Sequence, residues 1–175
     1  MAGALVIGWG TGARWALVVA AAFVVQIGLV TQIRVFGVVP DTLVVLSVCA
    51  GLSGGPQRGA VVGFWLGILF DLPRPMHPLG ISALAYLVVA ALAGVAQAVV
   101  LQSGRLMSIV IVAACSVFGV LVFAVESAMF GGHAFANPQF GTILLTTALV
   151  GAVLARPGLR LAGWADGPDV RSVAK

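Results

Sequence analysis

The acids are the side chains of this sequence that could do chemistry, and most of them fall near the ends of long apolar runs. Asp41, Asp71 and Glu126 all have this placement, and a carboxylate at membrane depth is costly unless it is paired or reaches water. Basic side chains that follow or precede neighbouring runs are Arg34, Arg74, His77 and His133. Two interpretations remain open: an interfacial ion-pair network that fixes helix ends, and a site for an exported ligand, a lipid head group or a partner.

Catalytic and metal-binding motifs are not found in the sequence. It has no glycine-rich phosphate loop, no metal-type spacing of cysteine and histidine, and no nucleophile motif. His77 and His133 fall in predicted loops and would form a metal pair only if those loops met. Cys49 and Cys115 lie in apolar runs and are expected to be small core residues. We therefore predict a protein that is not an enzyme and uses no metal or cofactor.

The elements that position these acids are predicted to be membrane helices. Hydrophobic residues make up 61% of the 175 residues and charged residues 8%, and the mean hydropathy is +1.16. Soluble domains carry about 25% charged residues. The nine basic residues are scattered between apolar runs, which argues against nucleic acid as a partner. The composition predicts an all-α integral membrane protein with room for about six spans.

Six apolar runs predict six transmembrane helices. The spans cover residues 14–33, 38–53, 57–72, 79–101, 106–130 and 140–155. Residues 1–13 are predicted to be a cytoplasmic N-terminus, 14–162 the transmembrane domain, and 163–175 a polar cytoplasmic tail. Spans 2 and 3 are short, and a re-entrant hairpin is the alternative to two full crossings. We prefer two crossings because a hairpin would place Arg58 at membrane depth.

The basic residues give these spans an orientation. Seven would lie on one side of the membrane and two on the other. The seven are Arg14, Arg58, Arg105, Arg156, Arg160, Arg171 and Lys175, and the two are Arg34 and Arg74. Because cytoplasmic loops carry the excess of Lys and Arg, both termini are predicted to be cytoplasmic. This orientation gathers an outer polar cluster, defined here as Arg34, Asp41, Asp71, Arg74 and Glu126.

A glycine ladder leads to Asp71. Gly59, Gly63, Gly67 and Asp71 are four residues apart, and each such step advances a helix by about 400°, so they share one broad face. Small residues let membrane helices approach closely, and packing within the chain is favoured over a dimer seam. An acid at the C-terminal end of a helix is disfavoured by the helix dipole. Asp71 is therefore expected to have a partner, such as the neighbouring arginines of the outer polar cluster.

Residues 38 to 87 resemble the family of the rod shape-determining protein MreD. The resemblance lies in three pieces in order: Pro40-Asp41 followed by Leu43-Val44-Val45-Leu46, the glycine helix that ends at Asp71, and Leu79-Gly80 opening a span with Ala83 and Tyr86. The resemblance implies motif positions with roles in the fold and in partner docking. They are Pro40, Asp41, Gly59, Gly63, Gly67, Asp71 and Gly80.

The resemblance also implies a function. It indicates a non-enzymatic scaffold of the bacterial cell-elongation complex in the inner membrane, which helps control cell shape and peptidoglycan synthesis. The implied partners are an MreC-like bitopic protein, the MreB filament, the RodA glycosyltransferase and a penicillin-binding transpeptidase. The basic cytoplasmic ends of the spans are themselves suited to anionic membrane lipids or to an acidic protein surface. The family is similar in fold to the six-helix substrate-binding subunits of energy-coupling-factor transporters. The alternative function is therefore a substrate-binding membrane subunit of a vitamin-type uptake transporter.

Overall fold

Six α-helices make up almost all of the chain that the structure describes. The computed structural model describes residues 9–28, 30–32, 39–73, 80–97, 105–129 and 138–167. The elements are α1 (Trp9–Gly28), a 3₁₀ turn (Val30–Gln32), α2 (Thr42–Gly54), α3 (Pro56–Asp71), α4 (Ile81–Val95), α5 (Arg105–Met129) and α6 (Phe140–Asp166). These residues contain no strand, so the prediction of an all-α protein is confirmed.

Among the described residues, three segments are long and apolar enough to cross a membrane. They are Gly10–Gln32, Leu106–Met129 and Phe140–Asp166. Helices α2 and α4 are apolar but have only 13 and 15 residues, which gives them lengths of about 20 and 23 Å. The hydrocarbon core of a bilayer is about 30 Å thick. A helix this short does not span the hydrocarbon core if lipid surrounds it.

Helix α2 lies at the centre of the bundle, where other helices surround it. Every residue from Leu43 to Leu52 is buried, and a helix that is apolar all round is expected to be enclosed by other helices. All five of the other helices pack against it. Because α2 touches protein on every side, its neighbours rather than the bilayer determine how long it is.

The glycine ladder lies against α4 in the same chain. A Cβ atom added at Gly59 would lie 2.5 Å from the carbonyl oxygen of Ala90, and one at Gly63 would lie 2.5 Å from that of Tyr86. Gly67 likewise faces the backbone of α4. Since any side chain would collide with backbone atoms, only glycine permits this approach of α3 to α4.

The sixth helix differs from the prediction. It continues through Pro157 to Asp166, whereas the sequence placed its end at residue 155 and a polar tail from 163. Pro157 removes one backbone hydrogen bond, but the inward face of small residues continues beyond it. Gly158, Ala162 and Ala165 are all buried, and a Cβ at Gly158 would lie 2.8 Å from Sγ of Cys49 in α2. Packing against α2 therefore sustains the helix where hydropathy alone predicted its end.

The first two helices also begin at other residues than predicted. Helix α1 starts at Trp9, so residues 9–13 belong to it rather than to a separate N-terminal segment. Helix α2 starts at Thr42 with Asp41 as its N-cap, so Pro40 precedes the helix instead of lying in its first turn. The Pro40 carbonyl accepts a hydrogen bond from Nε2 of Gln26, at 3.2 Å. This contact ties the end of α1 to the start of α2.

Candidate functional site

Asp41 caps α2 and links it to α4. Its Oδ1 accepts hydrogen bonds from the backbone N–H groups of Leu43, at 3.0 Å, and Val44, at 3.2 Å. These groups have no partner inside the helix, and the positive end of the helix dipole favours a carboxylate there. Its Oδ2 accepts a hydrogen bond from the hydroxyl of Tyr86. The side chain therefore fixes both where α2 begins and which helix stands beside that end.

Asp71 ends α3 and caps α4. Its Oδ2 accepts hydrogen bonds from the backbone N–H groups of Gly80, at 2.9 Å, and Ser82, at 3.2 Å, and the residue is only 3% exposed. The carboxylate thus lies at the positive end of the α4 dipole, which offsets its unfavourable position at the end of α3. Gly80 makes this geometry accessible with φ of 108°, a left-handed conformation that glycine adopts readily.

Glu126 of α5 lies near this cap. The backbone of Ala85 in α4 and the carboxylate of Asp71 both act on its side chain. Within the described ranges, Oε2 of Glu126 and Oγ of Ser82 are buried without a hydrogen-bond partner. The structure thus brings three acids of the outer polar cluster to the same end of the bundle. Four further candidates lie outside the described residues: Arg34, Arg74, His77 and His133.

A second set of polar side chains meets at the opposite end, where the sequence analysis placed no site. We call Trp15, Arg58 and Asp166 the inner polar cluster. Oδ1 of Asp166 accepts hydrogen bonds from Nη1 of Arg58, at 2.7 Å, and from Nε1 of Trp15, at 2.9 Å. Asp166 is 4% exposed and the Arg58 side chain 21%. The cluster joins the second turn of α1 and the first turn of α3 to the last turn of α6.

A signal for this cluster was present in the sequence. Beyond Pro157, the small residues Gly158, Ala162 and Ala165 keep the three- and four-residue spacing of a buried helical face. Asp166 directly follows that face and so turns inward with it. The same turn also carries a cation–π contact, in which the Arg14 guanidinium lies 5.7 Å from the ring centre of Trp164.

An apolar groove of about 640 Å³ lies between α1 and α3. We call it the α1–α3 groove. Its polar residues lie at the end near the inner polar cluster, and apolar side chains line the rest. Its lining includes Thr11, Ala16, Ala20 and Val24 of α1, and Gln57, Arg58, Trp65 and Leu69 of α3.

Metal chemistry has no support in the described part of the chain. No group of three or more histidine, cysteine, aspartate or glutamate side chains there could hold a metal ion. Both cysteines are unpaired, with Cys49 buried and Cys115 half-buried. Asp41 and Asp71 have a structural role, because each carboxylate accepts hydrogen bonds from backbone N–H groups at the start of a helix.

The architecture defines an all-helical membrane protein whose acids fix helix ends. A family model described as the rod shape-determining protein MreD matches residues 10–156. The chain therefore belongs to the MreD family, whose members are membrane proteins that determine rod shape. No curated protein and no solved structure matches the chain. The matched region covers α1 to α5 and ends at Arg156, before the last turns of α6.

Proposed function

We propose that this chain is a non-enzymatic scaffold of the bacterial cell-elongation complex that docks an MreC-like bitopic protein in the inner membrane. The observation that carries the proposal is membership of the MreD family over residues 10–156. The geometry agrees with a structural role, because the acids Asp41, Asp71 and Asp166 bind groups at helix ends. Through the bitopic partner, the scaffold would act with the MreB filament, RodA and a penicillin-binding transpeptidase.

The proposal includes six crossings with both termini in the cytoplasm. Contacts between consecutive elements support it: Gln26 near the end of α1 bonds to the start of α2, and Asp71 at the end of α3 caps the start of α4. The inner polar cluster joins the starts of α1 and α3 to the end of α6. Helices therefore alternate in direction. Arg14 and Arg58 lie at the inner end, which the positive-inside rule assigns to the cytoplasm.

Partner docking is expected on surfaces that face lipid. The glycine ladder is not available, since it is occupied by α4. Exposed apolar side chains on the other helices are available, for example Leu17 on α1, Leu92 on α4, Val110 on α5 and Val153 on α6. A protein with little mass outside the membrane has few other surfaces with which to bind a bitopic protein.

Site-specific photocrosslinking in native membranes tests the proposal. A photoreactive residue is placed in turn at Leu17, Leu92, Val110 and Val153, and the adducts are identified by mass spectrometry. Val48, which is 0% exposed, is the matched control and is expected to give no adduct with another protein. An adduct with an MreC-like protein from one helix face supports the scaffold and maps its docking surface.

Two results would overturn the scaffold. One is capture of an ATPase pair and a transport subunit, which would replace it with the uptake-transporter hypothesis. The other is normal rod shape in cells from which the chain has been deleted, since a scaffold of the elongation complex is required for that shape.

A further inference from the structure

The α1–α3 groove is polar at one end and apolar along the rest of its length. Thr11, Gln57 and Arg58 line the inner end, and the lining continues outward to Val24 and Leu69. At 1.5 Å per residue, Thr11 and Val24 are about 20 Å apart along α1. The small side chains of Ala16 and Ala20 face the groove between them. A cavity with this pattern suits an amphiphile with its head at the inner end.

The length of the groove suits an alkyl chain. The groove holds about 640 Å³. One leaflet contributes about 15 Å to a hydrocarbon core of about 30 Å. An acyl chain that crosses one leaflet therefore fits the length of the groove.

Among the described residues, the inner end carries a net positive charge. Arg58 and Arg14 lie there against Asp166. Nη1 of Arg58 is held by Asp166, and a guanidinium has five N–H donors, so further donors are left for the oxygens of an anion. The adjacent N-terminus of α3 has no side-chain cap on its first turn, and such an end also favours anions.

We propose that the α1–α3 groove binds an acyl chain of an anionic phospholipid, with the lipid phosphate at Arg58. The ion pair with Asp166 positions the guanidinium at the mouth of the groove, and the alanine face of α1 leaves the room for the chain. This lipid site is separate from the proposed scaffold function and does not depend on it. The bound lipid would belong to the cytoplasmic leaflet, and that assignment alone rests on the proposed orientation.

Native mass spectrometry of the purified protein tests the acyl-chain site. The protein is incubated with phosphatidylglycerol or with phosphatidylcholine of the same acyl chains. We expect one tightly retained phosphatidylglycerol and about tenfold weaker retention of phosphatidylcholine, as for loss of a charged contact. Ala20→Phe fills the groove and is expected to lower retention at least tenfold. Ala21→Phe is the matched control, because Ala21 is exposed on α1 and does not line the groove.

A second pair of variants tests the head-group site. Arg58→Gln alone would leave the buried Asp166 carboxylate without its cation, so it is combined with Asp166→Asn. The double variant is expected to retain both lipids equally while its melting temperature shows that it is folded. Equal retention of the two lipids by the unchanged protein would overturn the proposal. Undiminished retention by Ala20→Phe would overturn it as well, and so would a crosslink from Trp65 to a protein helix lying in the groove.

Discussion

Replacing Arg58 with alanine is expected to destabilise the protein far more than replacing Asp166 with asparagine, although both changes break the same ion pair. Asp166 is 4% exposed. Without Arg58, its charge would be left with the N–H of Trp15 as its hydrogen-bond donor among the described residues. Arg58 is 21% exposed at the mouth of a groove. Without the negative charge of Asp166, its guanidinium can still turn toward water or phosphate.

The magnitudes follow from this asymmetry. Removing one partner of a buried ion pair costs about 3–5 kcal/mol, and the lower value fits a pair at the end of the bundle. Asparagine keeps an oxygen for both donors and loses the charge-assisted part of the bonds, about 1 kcal/mol. For a chain of this size each kcal/mol lowers the melting temperature by about 2–4 °C. Arg58→Ala is therefore expected to lower it by about 6–12 °C and Asp166→Asn by about 2–4 °C.

The assay is thermal unfolding of the purified variants in one detergent. Once Asp166→Asn is present, Arg58→Ala leaves no buried charge behind, so the double variant is expected to be more stable than Arg58→Ala alone. Arg160→Ala is the control, because Arg160 is exposed on the same part of α6 and should shift the melting temperature by about 1 °C or less. Equal losses for the two single variants, or additive losses in the double variant, would refute the reasoning.

Three further changes test the helix contacts in the same thermal assay. Gly63→Ala would place a methyl group 2.5 Å from a backbone oxygen of α4 and is expected to lower the melting temperature by several degrees. Gly141→Ala is the control, because its methyl group would meet open space. Equal melting temperatures for the two variants would contradict the close packing of α3 on α4. Asp71→Ala removes the acceptor for two N–H groups at the start of α4 and should cost about 1–2 kcal/mol; full stability would contradict the cap. Tyr86→Phe removes the hydroxyl that bonds to Asp41 and should cost about 1 kcal/mol; an unchanged melting temperature would show that this bond contributes nothing.

Helix positions were predictable where an apolar run has sharp chemical limits. Residues 57–72 were predicted for α3, which spans Pro56–Asp71, and residues 106–130 for α5, which spans Arg105–Met129. Pro56 and Asp71 bound the first run, and Arg105 bounds the second. Where small residues continue past a polar stretch, as in α6, hydropathy fails because the packing partner is on another helix.

The function of Asp71 was only partly predictable. The helix dipole argument required a partner for a carboxylate at the end of α3, and it pointed to a basic side chain. The structure supplies backbone N–H groups from residues 80 and 82. Such donors cannot be recognised from residue type, since every residue except proline carries a backbone N–H group. The distance in sequence also hid the inner polar cluster, because Asp166 lies 151 residues from Trp15 and 108 from Arg58.

Helix α6 is the last described helix in the sequence, and this has a consequence for how the protein is made. Arg58 receives its counter-charge from a residue synthesised 108 positions later, which at 5–20 residues per second means a delay of roughly 5–20 s. During that interval α3 is already complete, while one side of α2 still lacks its contact with α6. Lipid can cover that side because α2 is apolar, but it cannot replace the carboxylate of Asp166. The inner polar cluster therefore forms only after residue 166 has been synthesised, beyond the point where hydropathy predicted the end of α6.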